Sequence, residues 1–160
     1  MQNKLEVLPI GYVHSENGFY LQIKQQFVPG LKELDSFGHL HVLYWLHLLD
    51  APENREMNQM DQPYKNSPER MGIFATRSPI RPNPIALSVA PVLGIDHERG
   101  LINIAYIDAA DGSPILDLKP YHPSTDRVRE SVVPKWCSHW PEWYEDSANF
   151  DWEKEFVNAC

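Results

Sequence analysis

The sequence predicts a mainly β fold, a small antiparallel β-barrel with short helices and long proline-rich loops. Apolar residues occupy every odd position from 85 to 95, while most even positions are small or polar, which is the period of two of a half-buried strand. Several other short segments rich in β-branched and aromatic residues are separated by turn residues. Proline supplies 14 of 160 residues, well above average, and indicates stiff loops.

Four further strands are expected at residues 5–13, 19–27, 37–48 and 101–107, each bounded by Gly, Asn, Asp or Pro. Closing these strands into a barrel would remove exposed sheet edges. Within the strand 85–95, Pro91 is expected to mark an edge or a bulge. Five prolines between 63 and 84 argue against a helix and predict a rigid loop. A helical turn is expected at 30–34 and a terminal helix at 151–157.

Length and charge limit the possible functions. A chain of 160 residues matches one ordinary domain, and a hydrophobic content of 42% is sufficient for a buried core. The 22 acidic and 14 basic residues give a net charge of −8, which argues against a protein that coats nucleic acid by general attraction. Any anion-binding surface must be local, and the densest basic cluster comprises Lys65, Arg70, Arg77 and Arg81.

No membrane or export segment is expected, so the protein is predicted to be cytoplasmic. The longest apolar stretch, 40–49, is interrupted by His41 and His47 and is shorter than the roughly 20 residues of a membrane helix. The first residues lack an apolar secretory core. Cys137 and Cys160 are too few for a disulfide scaffold, so reduced thiols are expected.

The first candidate for chemistry is the loop 75–85. Arg77 and Arg81 are planar, permanently charged donors on a proline-stiffened backbone, which suits a carboxylate or phosphate ligand. Asn83, between two prolines, adds a donor and an acceptor on a held backbone. The alternative is a structural loop whose arginines pair with Asp111 or Asp117. Spacing alone leaves both interpretations open.

The second candidate begins at the turn signal Asp111-Gly112. Its backbone amides and the hydroxyl of Ser113 are expected to face a ligand. In the extended stretch that follows, Asp117, Lys119 and Tyr121 alternate with apolar residues and should share one face.

Two alternatives accompany these polar clusters. One is a plain pairing of Asp117 with Lys119 on a solvated face. The other concerns His39, His41 and His47, which all occupy odd positions and would point the same way on a straight strand, so that a metal site is a possible interpretation. Because no carboxylate or cysteine partner accompanies the histidines, hydrogen-bonded barrel histidines are favoured and no metal is predicted.

The amino-acid sequences of these loops resemble those of a known family. Residues 71–88 read Met-Gly-Ile-Phe-Ala-Thr-Arg-Ser-Pro-Ile-Arg-Pro-Asn-Pro-Ile-Ala-Leu-Ser, and residues 111–121 read Asp-Gly-Ser-Pro-Ile-Leu-Asp-Leu-Lys-Pro-Tyr. Both closely resemble the TrmO family, also called YaeB-like or TsaA-like. The segments 10–15 and 34–47 are similar to the family's earlier strands, so the resemblance covers roughly residues 8–123.

The resemblance implies a barrel that forms a homodimer and binds S-adenosyl-L-methionine near the subunit interface. It implies methylation of the exocyclic amino nitrogen of threonylcarbamoyl-adenosine beside the anticodon of certain tRNAs. Carried over by motif position, the expected cofactor-binding residues are His47, Leu48, Arg77, Arg81, Asn83, Leu87, Gly112, Ser113, Pro114 and Ile115. The candidate catalytic residues are Asp117, Asp108, Lys119 and Tyr121. Of these, Asp117 is the first candidate for the base, with Lys119 and Tyr121 keeping it ionised and aimed.

The chain departs from the family pattern at several positions. After the opening strand, residues 14–18 replace a longer loop with a Pro-Arg-Gln-like element, Ala86 replaces a usual glycine, and Leu48 replaces a frequent glutamine. Two other functions therefore stay open: a regulatory module that binds S-adenosyl-L-methionine, and a methyltransferase for another small or nucleotide substrate.

The expected organisation is a cofactor-binding barrel at residues 1–135 followed by an acidic, aromatic extension at 136–160. The extension is expected to pack on the barrel or on the dimer partner. Stacking of its rings on RNA bases is the alternative.

Overall fold

The computed structural model describes residues 5–158. The eight strands are β1 Gly11–His14, β2 Tyr20–Ile23, β3 His39–Trp45, β4 Gln59–Asp61, β5 Arg70–Gly72, β6 Ile85–Asp96, β7 Leu101–Ile104 and β8 Pro114–Pro120. The α-helices are α1 Pro52–Arg55 and α2 Pro123–Asp126. The 3₁₀ turns are Gln25–Leu31, Leu34–Ser36, His47–Leu49, Ile73–Ala75, Lys135–Cys137, Tyr144–Asn149 and Trp152–Lys154. Within the described residues, no helix combines the length and apolar character needed to cross a membrane.

The described chain divides into two compact units. The first comprises residues 5–50 and 84–127, and the second comprises 51–83 and 128–158. This division differs from the boundary expected after residue 135. The segment 51–83 groups with the C-terminal residues because its side chains pack against them, a relation between distant segments that no local pattern encodes.

The first unit is an antiparallel barrel. Its strands are ordered β1-β2-β7-β6-β3-β8, and β8 pairs with β1 to close the sheet. The prediction of a mainly β, antiparallel fold with short helices is confirmed. The four further strands are all shorter than expected: β1 begins only at Gly11, β2 ends at Ile23 because a 3₁₀ turn follows, β3 ends at Trp45, and β7 ends at Ile104.

The barrel interior is filled by aliphatic side chains from facing strands. Leu21, Leu40, Val42, Ile102 and Ile115 are all completely buried. Close packing also extends to the backbone between β1 and β2. A Cβ atom on Gly11 would lie 2.3 Å from the carbonyl oxygen of Gln22, so only glycine fits there.

Strand β6 keeps the predicted period of two, but its small residues face the interior. Ala90 is fully buried, whereas Leu87 is 44% and Leu93 70% exposed. The reason is the register with β3, which places Ala90 opposite Leu40 and Ala86 opposite Tyr44. Large inward side chains on β3 leave room only for small ones on β6.

Pro91 was expected to mark an edge or a bulge, and an irregularity follows it, since the register with β7 shifts between Val92 and Gly94. The helical signals are weaker than expected. A helical turn was predicted at 30–34, and the structure has 3₁₀ turns on either side of residues 32–33. The predicted terminal helix at 151–157 is reduced to the 3₁₀ turn Trp152–Lys154.

The second unit is built on a β4–β5 hairpin and an aromatic cluster. Tyr64 is buried and its ring stacks on Trp136 at 5.3 Å, while Trp140 meets the same ring edge-on at 5.1 Å. Phe156 also contacts Tyr64. These C-terminal rings therefore pack on residues of the 51–83 segment. The predicted proline-rich loop at 63–84 has the short strand β5 and one 3₁₀ turn, with irregular backbone elsewhere.

Candidate functional site

The Asp111-Gly112 turn is hydrogen-bonded to the end of β1. The amide of Gly112 donates to the carbonyl of Val13 at 2.8 Å, and the amide of Val13 donates to the carbonyl of Ser113 at 2.9 Å. The amide of Ser113 donates to Ala110 at 3.1 Å. The amides of Gly112 and Ser113 therefore donate within the protein and do not face a ligand, contrary to the expectation.

The turn is open on the side of its glycine. Gly112 has φ of 76°, in the left-handed region that favours glycine. A Cβ atom placed on Gly112 would meet no atom within 4 Å. The turn thus presents backbone to open space, and a ligand can approach the chain closely there.

His47 is brought to this turn from the end of β3. Its Nδ1 lies 3.4 Å from the Oγ of Ser113, although 66 residues separate the two. His47 starts a 3₁₀ turn immediately beyond β3, and the preceding Leu46 amide donates to the carbonyl of Pro84 at 2.8 Å. Ser113 is only 1% exposed, so its hydroxyl faces His47 and is largely shielded from solvent.

The apolar members of the predicted cofactor set differ in accessibility. Leu48 is 72% exposed, and Leu87 is 44% exposed on the outer face of β6. Pro114 is partly buried at the start of β8. Ile115 is completely buried in the barrel core, so its side chain packs on the interior and any contact with a ligand would involve its backbone.

Asp117, Lys119 and Tyr121 share the outer face of the barrel, as the alternation predicted. A bulge at Leu116 shifts the register so that Asp117 pairs with Leu43, and Lys119 pairs with His41. Asp117 and Lys119 form an ion pair of 2.7 Å whose side chains are 48% and 61% exposed. The hydrogen bond and charge of Asp117 raise the pKa of Lys119 above its usual 10.5.

Asp108 contributes its backbone to the barrel. Its carbonyl oxygen accepts a hydrogen bond from the hydroxyl of Tyr44, which also lies 3.2 Å from the Oγ of Ser88. Tyr44 is 2% exposed, so its hydroxyl needs such partners. The sequence pattern alone did not indicate Tyr44. The available signal was a residue with a polar hydroxyl at an apolar, inward-facing position of the strand.

The three histidines do not act together. His39 and His41 lie against the ring of Tyr121, with centroids 6.3 and 5.6 Å away, whereas His47 lies beyond the strand and contacts Ser113. The Nε2 of His41 lies 3.2 Å from a carboxylate oxygen of Asp126. The His122 amide lowers the pKa of Asp126, and the charge of His41 lowers it further. Across residues 5–158, no three His, Cys, Asp or Glu side chains form a potential metal site.

Residues 75–83 of the candidate loop, which include Arg77 and Arg81, belong to the second unit and are held by two buried hydroxyl residues. The Oγ1 of Thr76 donates to the Ile73 carbonyl at 2.8 Å and accepts from the Ser78 amide at 3.2 Å. The Oγ of Ser78 accepts from the Ile80 amide at 3.2 Å. Arg77 is exposed between these two anchors. The sequence pattern alone did not indicate the anchoring role of Thr76 and Ser78.

The other polar residues of this loop are more accessible than its anchors. Arg81 is partly buried and donates to the Ser78 carbonyl at 3.3 Å, and Asn83 is exposed. Of the carboxylates considered as arginine partners, Asp117 pairs with Lys119, and Asp111 accepts the Ser15 amide at 2.8 Å. Both of those contacts lie within the first unit.

Comparison with known proteins identifies the family. The family model described as the tRNA-methyltransferase O N-terminal domain matches residues 5–127. The chain belongs to this TrmO family. It is 35% identical over 116 residues to a probable S-adenosyl-L-methionine-binding protein of Pyrococcus abyssi, covering 72% of this chain and 58% of that protein. It is 36% identical over 110 residues to the S-adenosyl-L-methionine-binding protein of Archaeoglobus fulgidus, covering 69% and 73%.

A bacterial enzyme and a solved structure extend the comparison of this TrmO family member. The chain is 30% identical over 124 residues to the tRNA (adenine(37)-N6)-methyltransferase of Escherichia coli, covering 76% of this chain and 52% of that enzyme. It superposes on crystalline TrmO from Pseudomonas aeruginosa with a TM-score of 0.62 at 28% identity, covering 81% of this chain and 61% of that one. The chain therefore spans little more than half the length of these two bacterial proteins.

Proposed function

We propose that this protein is an S-adenosyl-L-methionine-dependent methyltransferase that acts on the N6 nitrogen of threonylcarbamoyl-adenosine beside the anticodon of tRNA. The observation that carries the proposal is the 3.4 Å approach of His47 to Ser113. It joins the two motif segments of the barrel to which the resemblance assigns cofactor contacts. The names of the Archaeoglobus and Escherichia coli relatives support the cofactor and the reaction.

The turn and its surroundings fit the proposed cofactor. The open side of Gly112 permits close approach to backbone, and the exposed surfaces of Leu48 and Leu87 suit an adenine ring or an apolar stem. His47, Gly112, Ser113, Pro114 and the Ile115 backbone complete the set proposed for this unit. Arg77 is proposed to bind the carboxylate of the methionine part, with Arg81 and Asn83 in supporting roles.

The cofactor supplies an electrophilic methyl group on a sulfonium, and the residues supply position and a proton acceptor. In-line transfer needs the donor and acceptor atoms held about 3 to 3.5 Å apart and aligned. The attacking exocyclic nitrogen would gain the methyl group as the methyl carbon–sulfur bond breaks, its electron pair returning to the sulfur, and the nitrogen must lose a proton. Asp117 is proposed to accept that proton, with Lys119 at 2.7 Å holding the carboxylate in position. Asp108 is the second candidate, and Tyr121 is proposed to orient the substrate.

The assembly and location follow the same family resemblance. A homodimer is proposed, and the exposed outer side chains of Ile85 and Leu87 provide apolar surface for an interface. Light scattering on the purified protein tests the dimer. The cytoplasm is the proposed location, since tRNA is the proposed substrate.

Incubation with labelled S-adenosyl-L-methionine and unfractionated tRNA tests the reaction. We expect label in tRNA, and mass spectrometry of digested nucleosides should show a methylated threonylcarbamoyl-adenosine. As the control, tRNA transcripts that carry unmodified adenosine are used, because they lack the proposed target nucleoside. Transfer to tRNA at a different nucleoside would retain the enzyme class and overturn the proposed substrate.

A second candidate function is a module that binds S-adenosyl-L-methionine with little transfer. The net charge of −8 favours it, because tRNA is a polyanion. Saturable binding without incorporation into tRNA would support this module. A third candidate, methylation of another small or nucleotide substrate, would be supported by an altered nucleoside profile in a deletion strain whose tRNA is unchanged.

A further inference from the structure

The connection between β1 and β2 is bonded to the proposed cofactor turn through one carboxylate. The backbone amide of Ser15 donates to the Oδ1 of Asp111 at 2.8 Å, and the Nδ1 of His14 lies 3.7 Å from the same oxygen. The ring of His14 is in turn stacked on Tyr20, with centroids 4.6 Å apart and planes inclined by 14°. Asp111 is thus held by the β1–β2 hairpin of the barrel, through an amide 96 residues away in sequence.

These contacts extend a ladder that fixes the turn against β1. Moving outward from the barrel, the Val13 amide meets the Ser113 carbonyl, the Gly112 amide meets the Val13 carbonyl, and the Ser15 amide meets the Asp111 carboxylate. The last of these bonds uses a carboxylate acceptor, and the other two use backbone carbonyls. It also lies at the open end of the ladder, where fraying would begin.

The same turn carries Ser113, whose hydroxyl meets His47. Two consecutive residues, Gly112 and Ser113, separate the Asp111 anchor from the start of β8. The position of the Ser113 Oγ relative to the His47 Nδ1 therefore depends on the backbone that Asp111 holds. Asp111 itself is exposed, and its carboxylate is directed to the Ser15 amide on the β1–β2 connection.

We propose that Asp111 is a positioning residue: through Ser15 and His14 it locks the 111–113 turn in the conformation that places Ser113 against His47 for cofactor binding. This inference rests on the proposed function only for its last step, the effect on the cofactor. The locking itself is a property of the protein without a ligand. The short β1–β2 connection would therefore influence cofactor binding indirectly, by fixing the 111–113 turn.

The test compares three variants with the natural protein. Asp111→Ala removes the acceptor, Asp111→Asn restores a neutral oxygen acceptor, and Asp96→Ala is the matched control. Asp96 is suitable because its Oδ1 also accepts a hydrogen bond from a backbone amide, that of Arg99 at 3.0 Å. Asp96 is the last residue of β6, which begins at Ile85. If an aspartate that bonds a turn amide had only a general structural role, Asp111→Ala and Asp96→Ala would change the measured properties to the same extent.

The first measurement is amide hydrogen exchange of Gly112 and Ser113 without ligand. In Asp111→Ala, the hydrogen-exchange rate of these two amides should rise roughly tenfold. In Asp111→Asn most of the protection should return, and in Asp96→Ala the rate should equal that of the natural protein. Unchanged exchange in Asp111→Ala would overturn the lock, whatever the function of the protein.

The second measurement is calorimetric binding of S-adenosyl-L-methionine. Asp111→Ala should weaken the affinity roughly tenfold, with recovery in Asp111→Asn and no change in Asp96→Ala. If the natural protein binds and Asp111→Ala binds equally well, the positioning role is wrong while the proposed function stands. If the natural protein itself shows no binding, the proposed function fails and the effect on the cofactor fails with it, while the exchange result still decides the lock.

Discussion

The Oγ of Ser113 lies 3.4 Å from the Nδ1 of His47, although the two residues are 66 positions apart in the sequence. Ser113 is 1% exposed at the start of β8, and His47 follows the end of β3. Because β3 and β8 are neighbouring antiparallel strands, the end of one lies beside the start of the other. This adjacency is what joins the two motif segments.

We predict that Ser113 and His47 act as one unit in cofactor binding. Ser113→Ala and His47→Ala should each weaken S-adenosyl-L-methionine binding by roughly threefold to tenfold, and the double variant should be little weaker than either single one. Titration calorimetry on the four proteins measures this cycle. Ser67→Ala, a buried serine of the second unit, controls for loss of a buried hydroxyl. Strictly additive losses would contradict the prediction.

Arg77→Ala should remove most cofactor binding, with an affinity lowered roughly 10- to 100-fold, because a charge-assisted bond to a carboxylate is lost. Calorimetry again provides the measurement. The matched control is Arg70→Ala, which removes an exposed arginine of the same unit that pairs with Asp61 at 3.0 Å. Equal affinity in the Arg77 variant and the natural protein would exclude Arg77 from the cofactor site.

Asp117→Asn should leave cofactor affinity nearly unchanged and slow methyl transfer by roughly 100-fold, since the neutral amide cannot accept the proton. Single-turnover transfer to tRNA measures the step directly. Asp35→Asn removes a carboxylate of the same unit that pairs with His97 at 2.8 Å, and its transfer rate should be normal. Normal turnover by the Asp117 variant would leave Asp108 as the remaining candidate.

The second unit should lose stability in acid through Glu155. This carboxylate is 3.0 Å from the Nε2 of His139 and accepts from the Nε1 of Trp140 at 3.2 Å, and both interactions lower its pKa below the usual 4.5. A lowered pKa gives stability that is present above pH 4.5 and is lost as the pH falls through the folded-state value.

Tryptophan fluorescence during denaturation at several pH values measures this loss, because Trp136 and Trp140 form part of the unit's aromatic cluster. Glu155→Gln should be less stable at neutral pH and should show a shallower decline below pH 4.5. Glu153→Gln, an exposed neighbour, should behave like the natural protein. The same acid dependence in Glu155→Gln and the natural protein would refute the assignment.

The sequence was informative where the signal is local. The period of two located β6, the Asp111-Gly112 pair located the turn, and the alternation of Asp117, Lys119 and Tyr121 placed them on one face. Prediction from the sequence failed where the buried face of a strand depends on the side chains of the strand opposite. The inward face of β6 carries its small residues because Tyr44 and Leu40 fill the space opposite, and β6 alone does not encode that.

Site predictions divide along the same line. The turn signal indicated Ser113, and the family resemblance indicated His47. Only the fold shows that the Ser113 hydroxyl is buried against the imidazole and that the turn amides donate inside the protein. The anchors Thr76 and Ser78 were missed because their hydroxyls bond to backbone groups a few residues away. Ser15 was missed because its amide donates to the carboxylate of Asp111, 96 residues away.

The central claim is that this TrmO family member binds S-adenosyl-L-methionine through the Gly112–Ser113 turn and His47. Isothermal titration of the purified protein with S-adenosyl-L-methionine tests it most directly, with Ser113→Ala titrated in parallel. We predict saturable binding to the natural protein and weaker binding to the variant. No heat of binding with a folded natural protein, or identical affinity in the two, would contradict the claim.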